Sequence, residues 1–570
     1  MDIASIHQLS NNIYPLAENA ENLVISHSNE RNAVSTIINN EQISKAIRGL
    51  LMINYTVMAV VIIYFAIVIA VGYYYYHRST NLAEYILGGR TLNPYVTALS
   101  AQASDMSSWL LMGLPGAVYA SGLGEVWIGI GLAIGSYGAW LLIAKRLRVY
   151  TEVSKNSLTL SSFFSNRFGD KSGLLRDISA IIILVFFTVY VASGFVGAGK
   201  VFTLILGLSD SDKTIAILVA AAVIVAYTFL GGFKAVCWTD LLQGMLMVVA
   251  LVVVPIAAVV SLGGWGEVNA QWDVVAASVP HFTDIFYDGG VPLTAITIIS
   301  LLVWGLGYFG MPHIIVRYTA IKNPNDLKIS RRVATIWIVV SLACACLVGL
   351  IGRAWMEANP GTPLDGSETI FLTLADTLFP TAIAGIIFSA ILAAVMSTAD
   401  SQLLVASSCI SNDLYKRAKK KEPGLNDKQL MWLSRIVVAV IAVIAAAIAL
   451  SGNNSIMSLV SFAWGGFGSA FGPLVILALF WKRANAKGAL AGMIVGFLTA
   501  ILWNTFLISG GIIGAGEYCI FNTQLYELAP GFLFSMIAMI VVSLITEEPP
   551  QEVLDEYETF EKEMEKLASE

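Results

Sequence analysis

Charge is what this chain has least of. Of its 570 residues only 13% are Asp, Glu, Lys or Arg, against 57% hydrophobic, and the mean hydropathy is +0.74. Soluble domains carry about a quarter of their residues charged, so a water-soluble globule is excluded. Nor is there a basic excess: 33 Lys and Arg against 39 Asp and Glu leave a net charge of −6. Without a basic face, nucleic acid is not a partner. Cysteine is scarce too. Cys237, Cys344, Cys346, Cys409 and Cys519 lie in or beside apolar runs without zinc or disulfide spacing, and read as small packing residues. His7, His27, His77, His281 and His313 are scattered and form no metal cluster. There is no phosphate-binding loop and no nucleophile–base pattern, which leaves a membrane enzyme the weakest of the function classes.

What is present is hydrophobic length. Apolar runs fall near 54–76, 94–118, 124–144, 177–199, 214–231, 237–262, 293–311, 333–352, 379–407, 432–450, 456–480, 487–507 and 528–545. Runs of about 20 residues are helical spans, whereas barrel strands alternate over about ten. The chain therefore reads as an all-α polytopic membrane protein of about thirteen transmembrane helices. Residues 1–51 are polar and mixed in charge; they read as a disordered extension or as an upstream start before Met52. Residues 52–546 form the membrane domain and 547–570 an acidic tail.

The connections set the orientation. One set carries Arg78, Arg90, Lys145, Arg146, Arg148, Arg167, Arg317, Arg331, Arg332, the Lys416–Lys421 run, Lys482 and Arg483. The alternate set carries only Lys200, Lys213 and Arg353 among acids such as Glu267, Asp273, Glu357 and Glu368. Basic loops stay cytoplasmic. The N-terminus is expected outside and the C-terminal tail inside, with Tyr73–Tyr76 and Trp481 in the interfacial belts.

Three stretches depart from plain spans. In 98–121, ALSAQASDMSSWLLMGLPGAVYAS, Gln102, Ser104, Asp105, Ser107 and Ser108 crowd into less than two turns, and Gly113, Pro115 and Gly116 follow. An intramembrane carboxylate costs roughly 2.5–3.5 kcal/mol on insertion scales and is usually functional. Backbone that leaves the helix at membrane depth is tolerated where it lines a cavity or is buried in protein. The stretch reads as a discontinuous helix whose freed carbonyls and hydroxyls face a small cation and a polar solute. A tight Ser/Ala packing face with Asp105 paired to a base is the alternative. The second stretch is 304–312, where Gly305, Gly307, Gly310 and Pro312 loosen another helix. It lies five spans after the first, so two breaks stand at corresponding places in two five-helix halves, the pattern of an inverted-repeat transporter. The third is 386–402, where the Ala394 carbonyl and the Ser397, Thr398 and Ser401 hydroxyls share one side of a helix. A hard cation such as sodium takes oxygen ligands, although Ser and Thr in membrane helices also bond back to their own carbonyls.

At these residues the chain resembles the sodium/solute symporter family, most closely its bacterial proline-transporting branch. The matching stretches are 86–122, FFTVYVASG (186–194), GGFKAVCWTD (231–240), WGLGYFGMPHI (304–314), SAILAAVMSTADSQLLV (389–405) and SFAWGGFGSAFGP (461–473), collinear from about Met52 to the last span. The resemblance implies a leucine-transporter-type core of two inverted five-helix repeats, with one helix before it and two after. It implies a multi-pass protein of the bacterial cytoplasmic membrane, monomeric, that couples sodium entry to L-proline uptake. Residue by residue, it assigns sodium to the carbonyls of Ala103, Met106 and Ala394 and the hydroxyls of Ser397 and Thr398. It links Asp105, Ser107, Asp240 and Arg90 to the ion or its coupling, and sets Trp109, Tyr190, Trp304, Tyr308 and Pro312 around the solute. Two departures stand out: Ser108 replaces a glycine, and Ala399, Asp400 and Ser401 replace a Leu-Ser-Cys run. A symporter of another small solute, and a sensor built on a transporter core, are the competing readings.

Overall fold

The computed structural model describes residues 54–76, 82–208, 212–230, 232–415, 426–451, 455–508 and 519–569. The expectations for residues 1–51, for His7, His27 and His77, and for the Lys416–Lys421 run lie outside them. In chain order the helices begin with α1 (Tyr55–Tyr76), α2 (Leu82–Leu87), α3 (Pro94–Asp105), α4 (Leu114–Ser121) and α5 (Val126–Leu142). Then come α6 (Ala144–Val153), α7 (Leu160–Arg167), α8 (Leu174–Ile205), α9 (Lys213–Leu230), α10 (Phe233–Leu262) and α11 (Trp265–Ser278). After a two-residue hairpin, α12 (Ala295–Leu302), α13 (Pro312–Ala320), α14 (Leu327–Ala358), α15 (Ile370–Leu378) and α16 (Thr381–Ser408) follow. The chain closes with α17 (Asp427–Leu450), α18 (Ile456–Phe480), α19 (Ala486–Phe506), α20 (Leu528–Ile545) and α21 (Gln551–Ser569).

Among the described residues ten helices are long and apolar enough to cross a membrane, and the bent pair α12–α13, kinked by 44°, makes eleven. The shorter apolar segments Trp109–Ser121 and Lys213–Phe229 correspond to the remaining two runs. The run read as 293–311 continues to Ala320. Arg317 interrupts its hydropathy, yet this side chain is only 1% exposed. It was expected in a cytoplasmic loop; instead it lies inside the protein, in α13.

Local chemistry accounts for both breaks. Asn93 caps α3 by accepting the Val96 N–H at 2.9 Å, and Pro94 opens the helix. The helix stops at Met106, whose ψ of 80° leaves the helical region. A π-helical turn, Trp109–Gly113, then leads into α4, with Pro115 in its first turn. In the second half, Thr294 caps α12, a 3-10 stretch runs from Val303 to Phe309, and Pro312 starts α13. The 3-10 stretch lies backbone to backbone on α5: a Cβ on Gly135 would stand 2.1 Å from the Gly305 carbonyl oxygen. Any side chain there would force these elements apart.

The broken helices are neighbours. α3 packs on α10, α13, α14 and α16, and the 3-10 stretch packs on α5 and α18. Just before α3 and just after α13, Leu92 and Ile321 form a backbone bridge, with the Leu92 N–H on the Ala320 carbonyl at 3.2 Å and the Lys322 N–H on the Leu92 carbonyl at 2.9 Å. The bridge ties the start of the first broken helix to the end of the second.

Candidate functional site

The break after Asp105 withdraws helical partners from a run of carbonyls. The Ser107 N–H turns to the Asp105 carbonyl (3.2 Å) and no longer reaches that of Ala103. Side chains from three other helices take the places left open. Ser397 Oγ of α16 donates to the Ala103 carbonyl at 2.8 Å and lies 3.2 Å from the Ala394 carbonyl of its own helix. His313 Nε2 of α13 lies 3.0 Å from the Ser104 carbonyl. The Asp105 carbonyl accepts Trp109 Nε1 at 3.3 Å and the Tyr190 hydroxyl of α8 at 3.4 Å. All of these side chains are buried. The break therefore gathers α3, α8, α13 and α16 at one point.

Two oxygens at this point remain free. The Tyr308 hydroxyl donates to Asp105 Oδ2, while Asp105 Oδ1 has no hydrogen-bond partner among the described residues. Thr398 Oγ1, next to Ser397, has none either. Buried polar atoms are almost always paired, so two unpaired oxygens beside a cluster of carbonyls form an acceptor-rich place suited to a small hard cation. Of the five expected ion ligands, Ala103, Ala394 and Ser397 meet directly. Thr398 adjoins them, and Met106 sits fully buried at the break itself. Ser107 is buried beside them; its carbonyl accepts the Leu110 N–H at 3.2 Å, and Ser107 Oγ accepts the Trp109 N–H at 3.5 Å.

Aromatic rings wall the other side. Trp109 and Trp304 are tilted with centroids 6.5 Å apart, and Tyr308 meets Trp464 edge-on at 5.1 Å. Trp464 Nε1 of α18 donates to the Trp304 carbonyl at 2.7 Å. Gly307 permits this: a Cβ there would lie 2.0 Å from that nitrogen. Four of the five expected solute positions, Trp109, Tyr190, Trp304 and Tyr308, thus gather around Asp105. Pro312, which opens α13 beside His313, lines a groove with Leu147, Thr151, Phe163, Thr319 and Ser408.

Asp240 and Arg90 also sit apart from this point. Asp240 of α10 is buried in an ion pair with Arg317 at 3.1 Å and accepts Ser100 Oγ at 2.6 Å. Arg317 also donates to Ser401 at 2.5 Å, and Asp400 Oδ1 lies 3.3 Å from the same hydroxyl. Arg90 sits at the bridge end. Its guanidinium donates to the Thr319 carbonyl (2.7 Å), Thr151 Oγ1 (3.2 Å), Asn156 Oδ1 (3.2 Å) and the Ser157 carbonyl (3.3 Å). Burial, with Arg148 adding to it, lowers this guanidinium to about 10, so it stays charged at neutral pH. Ser108 faces α8, where a Cβ on Gly197 would stand 2.5 Å from its own; the glycine opposite makes the room the extra side chain needs.

Sequence reasoning gave no partner to three of these residues. His313 and Trp464 lay inside quoted stretches, but their carbonyl partners belong to other helices. Arg317 was counted as a loop charge, and only the intramembrane Asp240 signalled a buried partner.

Two broken helices, one from each five-helix half, facing each other across a buried carboxylate, define a discontinuous-helix secondary transporter. The chain belongs to the sodium:solute symporter family, whose model matches residues 85–496. It is 47% identical over 491 residues to the sodium/proline symporter of Haemophilus influenzae, covering 85% of this chain and 94% of that one. It is 46% identical over 489 residues to the high-affinity proline transporter PutP of Bacillus subtilis, covering 86% and 98%. Among solved structures it superposes with a TM-score of 0.70 on a substrate-bound, outward-open Na+-coupled sialic acid symporter, at 21% identity over 87% of this chain and 99% of that one. That likeness carries the fold.

Proposed function

We propose that this chain is a sodium-driven L-proline symporter working by alternating access, a transporter and not an enzyme, with no nucleic-acid partner. It acts as a monomer in the bacterial cytoplasmic membrane, N-terminus outside and C-terminus inside. Residues 52–546 are the transport domain and 547–570 its cytoplasmic tail. One observation carries the ion site: Ser397 joins the Ala103 and Ala394 carbonyls across two helices, with Thr398 Oγ1 and Asp105 Oδ1 left free beside them. Sodium takes the carbonyls of Ala103, Met106 and Ala394 and the hydroxyls of Ser397 and Thr398, with Asp105 supplying charge close by. The relatives named for proline supply the solute.

Proline is a zwitterion with a small apolar ring. Its carboxylate suits backbone N–H groups beyond a helix break, where the dipole favours anions. Its ammonium gains about 0.5–2 kcal/mol on an aromatic face, supplied here by Trp109, Tyr190, Trp304 and Tyr308. Sodium between α3 and α16 steadies the arrangement that binds proline, and reciprocity requires proline to tighten sodium equally. One sodium entering down ~100 mV yields ~2.3 kcal/mol, and a tenfold gradient adds ~1.4 kcal/mol. Together they sustain roughly 500-fold accumulation. Pro312 borders the path to the cytoplasm, Arg90 latches its mouth, and Ser107 and Asp240 tune coupling.

The test is labelled-proline uptake into proteoliposomes under an inward sodium gradient, with potassium as control. Sodium-dependent accumulation that collapses in Thr398→Ala supports solute, ion and site together. Correctly inserted protein that accumulates no proline under sodium overturns the solute. Sodium dependence unchanged in both Thr398→Ala and Ser397→Ala overturns the ion site.

A further inference from the structure

The wall behind Trp304 comes from outside the ten-helix core. Tyr526 precedes α20, in the connection that follows α19, and its ring stacks on the Trp304 indole with centroids 5.2 Å apart and planes 21° apart. Trp304 therefore has two ring neighbours, Trp109 at 6.5 Å and, closer and nearly parallel, Tyr526. Tyr526 is itself tied down from several elements. Its hydroxyl donates to the Ser461 carbonyl of α18 at 2.6 Å, and its N–H donates to Ser300 Oγ of α12 at 3.1 Å. Ser300 Oγ in turn donates to the Gln524 carbonyl (3.0 Å), and Trp503 Nε1 of α19 donates to the Leu525 carbonyl (3.0 Å). Next door, buried Glu527 accepts Asn504 Nδ2 at 3.2 Å. Gly465 of α18 makes the seat, since a Cβ there would lie 3.1 Å from both the Tyr526 hydroxyl and the Glu527 side chain.

We propose that Tyr526 is a specificity-determining positioning residue: by fixing the Trp304 ring from behind, it sets the ring size of the imino acid the site accepts. The backbone of Trp304 is held by Trp464, but a tryptophan ring pivots about its side-chain bonds unless packing stops it. The ring stacked on it is Tyr526. A wall that yields admits one more methylene; a fixed wall of this kind discriminates one methylene by about 10- to 200-fold. The two helices that follow the repeats thus contribute to the substrate site through this one ring.

The proposal rests on the proline reading for its choice of probe. The experiment measures sodium-driven proline uptake, and its inhibition by the six-membered homologue pipecolate, in wild type, Tyr526→Phe and Tyr526→Leu. Tyr526→Phe keeps the stacked ring and is expected to match wild type in KM and in selectivity. Tyr526→Leu is expected to raise the proline KM about fivefold with Vmax within twofold, and to narrow the preference for proline over pipecolate about tenfold. Gly465→Ala presses on the same ring without removing it and is expected to shift selectivity the same way, which covers a failure of Tyr526→Leu to insert. Unchanged KM and selectivity in Tyr526→Leu or, where it does not insert, in Gly465→Ala overturn the proposal, as does a Tyr526→Phe as damaged as Tyr526→Leu. If the wild type concentrates a different solute, the proline reading falls. The brace is then judged by the same variants on that solute and its one-methylene homologue.

Discussion

Ser397 and Tyr308 each carry one decisive hydrogen atom. Ser397 Oγ ties the end of α3 to α16 by donating to the Ala103 carbonyl, 3.2 Å from the Ala394 carbonyl of its own helix. Ser397→Ala deletes one proposed ion ligand and the join at once. The expected cost in sodium affinity is about tenfold, ~1.4 kcal/mol, the size of one good polar interaction. It is read as the sodium concentration giving half-maximal uptake. Tyr308 supplies the hydrogen bond that fixes Asp105 Oδ2. Tyr308→Phe leaves Asp105, which is fully buried, without that donor and no longer fixed in place. We expect a sodium requirement at least fivefold higher at neutral pH with insertion intact. An unchanged requirement would mean that Asp105 does not act on the ion.

At the scale of elements, α3, α10, α13 and α16 are held by a buried arrangement of two carboxylates and one guanidinium. Asp240 and Arg317 form an ion pair, 0% and 1% exposed, and Asp400 joins through Ser401. Among the described residues Asp240 Oδ1 and Asp400 Oδ2 have no hydrogen-bond partner, so one arginine serves two acids. Breaking a buried pair costs about 3–5 kcal/mol because the surviving charge is stranded. Arg317→Met strands two acids and should lower the detergent-solubilised melting temperature sharply. Asp400→Asn removes the surplus acid and should leave the melting temperature equal or higher. A drop in Asp400→Asn comparable to that in Arg317→Met would show instead that Asp400 is a structural partner. The same elements show what could be read from the chain. Both breaks were legible because Gly, Pro and clustered hydroxyls act locally, within two turns of where they stand. Three of the five proposed ion oxygens, those of Ala394, Ser397 and Thr398, followed from helical spacing; the break announced freed carbonyls, but Ala103 and Met106 by name, and the solute itself, entered through family resemblance. The extension of the second broken helix to Ala320 was hidden because Arg317 lowers hydropathy, and its neutralising partner lies 77 residues away. Tyr526 was invisible for the same reason, its partner Trp304 being more than 200 residues earlier. No local rule of spacing reaches across such gaps.

At the scale of the whole molecule, the acidic tail closes one end of the protein by lying across its basic loops. Expected only as an acidic tail, α21 docks along α6. Arg146 pairs with Glu561, Lys482 with Glu558 at 2.6 Å, and Lys155 with Glu552 at 3.3 Å. Beneath these pairs Phe560 is fully buried and stacked on Tyr150 at 4.2 Å, Tyr557 meets the same ring edge-on, and Arg167 lies 5.0 Å from the Tyr557 ring. The docked tail thus presses on α6, whose Thr151 lines the groove beside Pro312 and takes a hydrogen bond from Arg90. Magnitudes decide which contacts hold it. Partly exposed ion pairs are worth about 0–1 kcal/mol each and weaken with salt. A buried phenylalanine cut to alanine costs about 3–5 kcal/mol. Phe560→Ala should therefore release the helix and Glu558→Gln should not. Hydrogen exchange across residues 551–569 checks this directly: fast exchange is expected in Phe560→Ala at any salt, and near wild-type protection in Glu558→Gln. If raised salt alone unprotected the helix in the wild type, charge and not the aromatic stack would be holding the tail, and its hold on α6 would follow the ionic strength around it.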